Sequence, residues 1–343
     1  AKADAALAEL KNYQRATSAA ILPSVSRVKA EVFYNKASVF KKLVYCYMIL
    51  GGVALILALL GALCGKRFTL VQKILFAAFA TSFAAHTLAL ALRWYVAAHA
   101  PWSDSYESMI YIGWSAALAG IIFFRKSLLT LSASCLLASI VMLVAHMSFV
   151  NPQITNLVPV LKSYWLSIHV SVITASYGFL GLSCLLGLLA LVLMALKNGA
   201  NRERLNAQIR YITAINEISL IVGLSMLTLG NFFGGVWANE SWGRYWGWDS
   251  KETWSYVSII IYAIVLHLKL IPKLGSIYVY CVSSTLAYSS IIMTYFGVNF
   301  YLTGMHSYAA GDAPQIPAPF YCIIAAVFLI IALAFRGRDV KTI

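Results

Sequence analysis

The sequence predicts an all-α fold, a polytopic membrane helix bundle of about nine spans with short outward loops that include a tryptophan-rich platform. Three observations predict it. Of 343 residues, 61% are hydrophobic and only 11% charged, and the mean hydropathy is +0.78, far too apolar for a soluble domain. Apolar runs of roughly 20 residues, enough to cross ~30 Å of hydrocarbon, recur along the chain. Lys and Arg fall at alternate ends of those runs, as basic residues do on cytoplasmic loops.

The runs lie near 43–64, 70–92, 107–124, 128–149, 166–196, 216–236, 254–271, 276–296 and 319–335. The span 107–124 is the shortest, and 166–196 is long enough to project beyond the bilayer. Lys66, Arg67, Lys73, Arg125, Lys126, Lys197, Arg202, Arg204, Arg210, Lys269, Lys273, Arg336, Arg338 and Lys341 share one side. The other side carries Arg93, Lys162, Arg244 and Lys251. The bias puts the C-terminus in the cytoplasm and the loops 93–106, 150–165 and 297–318 outside, together with the tryptophan-rich stretch. The expected organisation is a connecting segment 1–42, six spans over 43–230, an outward segment 231–253, two spans over 254–296, an outward loop 297–318, and a last span with a basic tail over 319–343.

Segment 1–42 carries eight Lys and Arg although an odd number of spans places it outside. Leu7, Leu10 and Tyr13 give it a helical, partly amphipathic pattern. It is expected either to follow an earlier portion of a longer polypeptide that fixes its topology, or to lie as an interfacial helix on the membrane. The net charge of +14 follows from positive-inside bias and this segment, with no nucleic acid needed.

Several chemistries are excluded. Cys46, Cys64, Cys135, Cys184, Cys281 and Cys322 all fall within or at the edge of spans, and no two form C-x-x-C. No P-loop, G-x-G-x-x-G or G-x-S-x-G motif occurs.

Between Trp237 and Trp254 lie five of the nine tryptophans, in WANESWGRYWGWDSKETW. Each indole buries ~150–250 Å², so they must lie on lipid headgroups, a neighbouring helix or a flat apolar ligand. Asp249 and Glu252 match an N-cap with a capping-box acid, and Gly243 and Gly247 suit tight turns. Trp254 is the first choice among the indoles for a plain interfacial anchor. Asp104 and Glu107 read as caps of the third span.

Ionisable residues inside a membrane are costly and often functional. His169 begins the long span 166–196, and His306 lies in the loop 297–318; both face outward, on either side of the tryptophans. His267 sits near the inner end of the following span. His86 lies in the outer half of the second span. His99 and His146, near the interface, read as helix-to-helix hydrogen bonders. A lone membrane histidine is more often such a hydrogen bonder than a metal ligand, but His169 and His306 as a pair beside an indole platform match a bis-histidine haem site. Zinc would need three or four clustered ligands.

The segment GGVWANESWGRYWGWDSKETW at 234–254 resembles the WWD signature of the haem-handling proteins of cytochrome c maturation. Within them the chain is most similar to CcsA, the integral-membrane half of the system II cytochrome c synthase, and agrees with the C-terminal part of a CcsB–CcsA fusion. The resemblance covers about 300 residues, including HTLALALRWYVAAHAPWSDSYESMIY at 86–111. It implies that His169 and His306 are the axial iron ligands of an outer haem b, and the catalytic pair of a holocytochrome c synthase of the haem lyase type. It implies that His267 ligates haem near the cytoplasm, with a partner histidine from the CcsB portion and His86 a weaker substitute. Trp237, Trp242, Trp246, Trp248 and Trp254 would form the platform. Arg244, Lys251 and Arg93 would neutralise the haem propionates, or meet lipid phosphates. The implied function is haem export and its covalent attachment to apocytochrome c C-x-x-C-H thiols in a bacterial inner membrane; a thylakoid membrane fits a fused architecture less well. The alternatives are a noncovalent haem transporter or a b-type electron-transfer subunit.

Overall fold

Hydrocarbon offers backbone groups no hydrogen-bond partner, so a chain this apolar must satisfy them within its own helices. The computed structural model describes residues 2–18, 22–124, 127–147, 150–156, 163–305 and 315–340, and among them there is helix and no strand. The helices are α1 (Lys2–Ser18), α2 (Val25–Ala37), α3 (Val39–Cys64), α4 (Thr69–Ala97), α5 (Ser105–Phe123), α6 (Leu128–Ala145), α7 (Tyr164–Ala195), α8 (Arg202–Trp242), α9 (Ser250–His267), α10 (Ile277–Ile292), α11 (Val298–Tyr301) and α12 (Ala318–Ala334). Nine helical stretches among the described residues are long and apolar enough to cross a membrane, which is the expected all-α bundle.

Some boundaries differ from the hydropathy pattern. The first candidate span starts at Val25, because α2 runs into α3 across Ser38, whose φ of 46° marks the joint. The exposed α1 alone stands apart as an appended helix. Among the nine candidate spans the shortest is Leu128–Ala145 with 18 residues, against 19 for Ser105–Phe123. The largest difference is α8, 41 residues long where the apolar run covers only 216–236. Its first turns carry Arg202, Glu203, Arg204 and Arg210, good helix formers that hydropathy does not count. Its last turns carry helix through residues 231–242, half of the stretch expected to lie outside the spans. The 32-residue α7 matches the long fifth span.

The core is organised around α7, which packs on α5, α6, α8, α10 and α12. Its contact with antiparallel α8 is the most extensive in the chain. Glycines explain it. On α8, Gly223, Gly230 and Gly234 sit against Leu180, Ile173 and His169 of α7. The pairs step seven and then four residues along the two helices in opposite directions, so one face of α8 is a groove into which one row of α7 side chains fits. A Cβ at Gly223 would lie 2.7 Å from Leu180, and one at Gly234 would lie 2.5 Å from His169. Without a hydrophobic force between helices in lipid, such close small-residue packing supplies the association.

The α4–α5 connection is held by charge. Arg93 is fully buried, and its Nε donates to Glu107 Oε1 at 2.8 Å. Its Nη1 donates to Tyr34 Oη at 2.8 Å and to the Pro152 carbonyl at 3.1 Å. Asp104 caps α5 by accepting from the Glu107 N–H at 2.7 Å, as its position suggested. Burial pushes the Asp104 carboxyl up to about 6, with the Glu107 charge acting in the same direction. His99 Nε2 meets Glu107 Oε1 at 3.2 Å, and His146 bonds the Met142 carbonyl and Tyr106, so both histidines are hydrogen bonders.

Removing one partner of a buried ion pair strands the other. Arg93→Met should therefore cost about 3–5 kcal/mol, read as lowered thermal stability of the detergent-solubilised protein. The double change Arg93→Met with Glu107→Met should recover most of it. Equal stability of the wild type and the single variant would show that the pair is dispensable.

Candidate functional site

Four connections meet at one end of the bundle: α4–α5, α6–α7, α8–α9 and the segment after α11. Cross-links show the convergence. Trp102 Nε1 donates to the Ser167 carbonyl at 2.9 Å, Ser250 Oγ to the Thr303 carbonyl at 2.7 Å, and Ser108 and Tyr295 hydroxyls lie 2.6 Å apart. These are the loops that charge alternation placed on one side.

Between α7, α8, α9 and the π-helical turn Met293–Gly297 lies a small open cleft with about 70 Å³ of free space. His169, Tyr177, Gly234, Trp246, Lys251 and Thr294 line it, along with Asn231, Glu252 and their neighbours. The π turn, a feature common at functional sites, swings Thr294 to the cleft, where its hydroxyl donates to the Trp254 carbonyl at 3.2 Å and to that of Ser290.

His169 owes its position to the glycine groove. With only hydrogen on Gly234, its imidazole lies against α8, and Nδ1 meets the Gly230 carbonyl at 2.7 Å. A carbonyl can only accept, so Nδ1 carries the proton and Nε2 the lone pair. This is the arrangement that fixes tautomer and orientation in metal-ligating histidines.

The segment 243–253 is ordered by its own polar groups. Gly243 ends α8 in the left-handed region (φ 69°), as its placement suggested. Asp249 and Glu252 form the expected capping box of α9. Glu252 also accepts from the Gly247 N–H at 2.7 Å and pairs with Arg244 at 3.2 Å. Asp249 Oδ2 accepts the Met305 N–H at 2.6 Å, and Met305 Sδ lies 3.1 Å from Arg244 Nη2. The backbone is thus pinned to the start of α9 up to residue 305. His306 itself lies outside the described residues.

The five indoles are not coplanar neighbours on one surface. Trp237 is 1% exposed and packs edge-to-face on Trp242 at 4.7 Å, both on the last turns of α8. Trp246 meets Trp248 at 5.8 Å and Tyr256 at 6.4 Å. Of the five, Trp246 lines the cleft, while Trp248 is 69% exposed and holds a left-handed φ of 57°. Trp254 is half-buried on α9. Of the five indoles, Trp248 is the most exposed.

The remaining candidates lie apart. Arg93 belongs to the buried Glu107 network and not to the cleft lining. His267 ends α9, about 25 Å from its capped start by helix rise. It is exposed on the bundle surface, with Nδ1 against the Ala263 carbonyl at 2.7 Å. His86 is fully buried, its Nδ1 3.4 Å from Tyr47 Oη and its ring edge-on to Phe40. Enclosed between α3, α4 and α5, it is no surface partner for His267. Sequence reasoning left Asn231 without a role and did not select Tyr177 or Thr294. Asn231 accepts from Ser255 Oγ at 2.9 Å, joining α8 to α9. No residue-type motif marks Tyr177 and Thr294, which the tertiary packing alone brings to the cleft.

Comparison with known proteins gives a consistent result. The family model described as cytochrome C assembly protein matches residues 102–306, more than half of the chain. Protein NrfI of Wolinella succinogenes is 50% identical over 315 residues, covering 90% of this chain and 34% of that protein. The chain therefore spans about a third of the length of that relative. Cytochrome c biogenesis protein CcsA of Prochlorococcus marinus is 32% identical, covering 65% of this chain and 80% of its own. CcsA of Chlorella vulgaris is 33% identical, with 65% and 81% covered.

Asp249 holds both a helix N-terminus and the backbone ahead of residue 306. Asp249→Ala should cost about 1 kcal/mol of stability from the lost cap. Limited proteolysis should then cut the segment after Tyr301 faster than in the wild type. Unchanged cleavage would mean that other contacts hold that segment.

Proposed function

The chain belongs to the cytochrome c assembly protein family, and from that premise we propose that its cleft holds haem b as a substrate and presents it for covalent attachment to apocytochrome c. His169 and His306 are the axial ligands, Trp246 is the indole against the macrocycle, and the WWD segment faces the outer compartment of a bacterial inner membrane, with the C-terminus cytoplasmic. His267 serves haem nearer the cytoplasm together with a histidine of a CcsB portion; its exposure on the bundle surface suits a ligand completed by another segment.

One observation carries this reading: the Gly230 carbonyl fixes the tautomer and orientation of His169 in the cleft, which leaves Nε2 as the nitrogen that would ligate iron. The pinning of Met305 beside Arg244 and Asp249 supports it by bringing the residue before His306 to the same region. The donor set fits haem. Two imidazoles suffice for a bis-histidine iron, the cleft has apolar walls from Ile173, Tyr177 and Trp246, and ligation would hold the ring in place while its edge stays at the open mouth.

The chemistry asks little of the protein beyond orientation. Each C-x-x-C-H thiol adds across a vinyl double bond: a sulfur–carbon bond forms, the thiol hydrogen ends on the other vinyl carbon, and no net electrons are exchanged. The substrate's histidine replaces one axial ligand and releases the product. No side chain is required as a base, in keeping with the histidines serving as ligands.

The test uses the protein purified with its partner portion, haem and a C-x-x-C-H peptide. Thioether-linked product is expected from the wild type, and His169→Ala and His306→Ala should each lose the low-spin outer-haem bands and most product. Gly234→Val, which crowds the imidazole without removing it, should resemble His169→Ala. Bound haem without any thioether product would favour a noncovalent carrier. Unchanged spectra in both histidine variants would refute the ligand assignment.

A further inference from the structure

Four cations were expected at this end of the molecule, and their surroundings separate them. Arg93 is buried against Glu107. Arg244 pairs with Glu252 and lies over the Trp242 ring at 5.5 Å. Lys162 lies outside the described residues. Lys251 is different. It is half-buried on the first turn of α9, lines the cleft with His169, and donates from Nζ to Asn299 Oδ1 at 2.9 Å. Among the described residues it forms no ion pair.

Its nearest carboxylates have other tasks. Asp249 Oδ1 accepts the backbone N–H of Lys251 itself, Oδ2 accepts Met305, and Glu252 takes Arg244, the Gly247 N–H and the Asp249 N–H. This partly desolvated ammonium has a neutral amide as its hydrogen-bond partner and only the charge of Asp249 nearby to offset it, so a further anion in the cleft would stabilise it. The first turn of α9 adds the positive end of an 18-residue helix. Asn299, on α11 just past the π turn, holds the amine at the cleft wall and leaves two of its three protons for a ligand.

We propose that Lys251 Nζ is the seat for a carboxylate of the tetrapyrrole bound in this cleft, and that Arg244 and Arg93 are structural cations. The inference rests on the haem reading above and sharpens it. A propionate held there by a charge-assisted hydrogen bond fixes which edge of an asymmetric ring enters the cleft, and so which edge, vinyl or propionate, is left at the mouth. Lys251 is then a positioning residue for the vinyl edge, with no contact to the reacting atoms.

The test titrates the full membrane protein with haem and with haem dimethyl ester, whose carboxylates are masked. The wild type should prefer haem. Lys251→Met should weaken haem binding about tenfold or more and abolish the preference for haem over its ester, while the bis-histidine bands persist; Lys251→Arg should retain most of the preference. Lys251→Gln, which keeps a polar group beside Asn299, gives a second neutral variant should the Met variant fold poorly. Repeating the titration with and without phosphatidylglycerol separates a propionate from a lipid phosphate. If Lys251→Met changes only the lipid dependence and keeps the discrimination against the ester, the proposal is overturned. It is equally overturned if the neutral variants bind haem as tightly as the wild type. Haem binding that is indifferent to His169→Ala would instead sink the underlying site, a result distinguishable because it is read in the wild-type and histidine spectra alone.

Discussion

The close approach of α7 and α8 is the constraint on which the site depends. Three glycines on one face of α8 let Leu180, Ile173 and His169 sink against its backbone. Lipid is as apolar as leucine, so this pair gains little from burying apolar surface and relies on contact distance instead. The same geometry that joins the helices exposes the Gly230 carbonyl to His169 Nδ1. Packing and site chemistry are therefore one event, and the imidazole cannot be oriented without the groove.

Around this axis the polar groups divide into those that build and those that remain for a ligand. Glu107 is consumed by Arg93, His99 and the Ser103 N–H, which locks the α4–α5 connection. Glu252 and Asp249 are consumed by the segment they cap and by the backbone leading to residue 306. An ordered loop of this kind costs conformational entropy, and the hydrogen bonds of two carboxylates offset part of it. The cleft wall combines the oriented His169 imidazole, the Trp246 indole, the Lys251 amine and the Thr294 hydroxyl with the already engaged Asn231, Glu252 and Ser255 and with the tyrosines and Ile173.

Much of this was legible in the sequence. Long apolar runs gave the number of spans, because each helix needs roughly 20 apolar residues to cross the hydrocarbon. The capping box was readable because its partners lie three residues apart, and Gly243 because a helix end needs a left-handed residue. Amphipathic turns at either end of α8 escaped notice, since hydropathy measures where lipid begins and not where helix does. The spread of the five tryptophans over two helices and a loop was equally hidden, as adjacency in sequence says nothing about the direction of a ring.

The sequence by itself determined the class of molecule, the gathering of its unusual loops at one end, and the nearness of His169 to the tryptophan-rich segment. Those rest on composition, length and local spacing. Only the tertiary structure decided that Arg93 serves the scaffold, that His86 is enclosed, that Trp246 reaches the cleft where Trp248 stays exposed, and that Tyr177, Asn231, Thr294 and Lys251 share a wall with His169. These follow from how α7, α8, α9 and the turn after α10 pack together, and the contacts that fix that packing join residues far apart in the chain, where no local pattern records them.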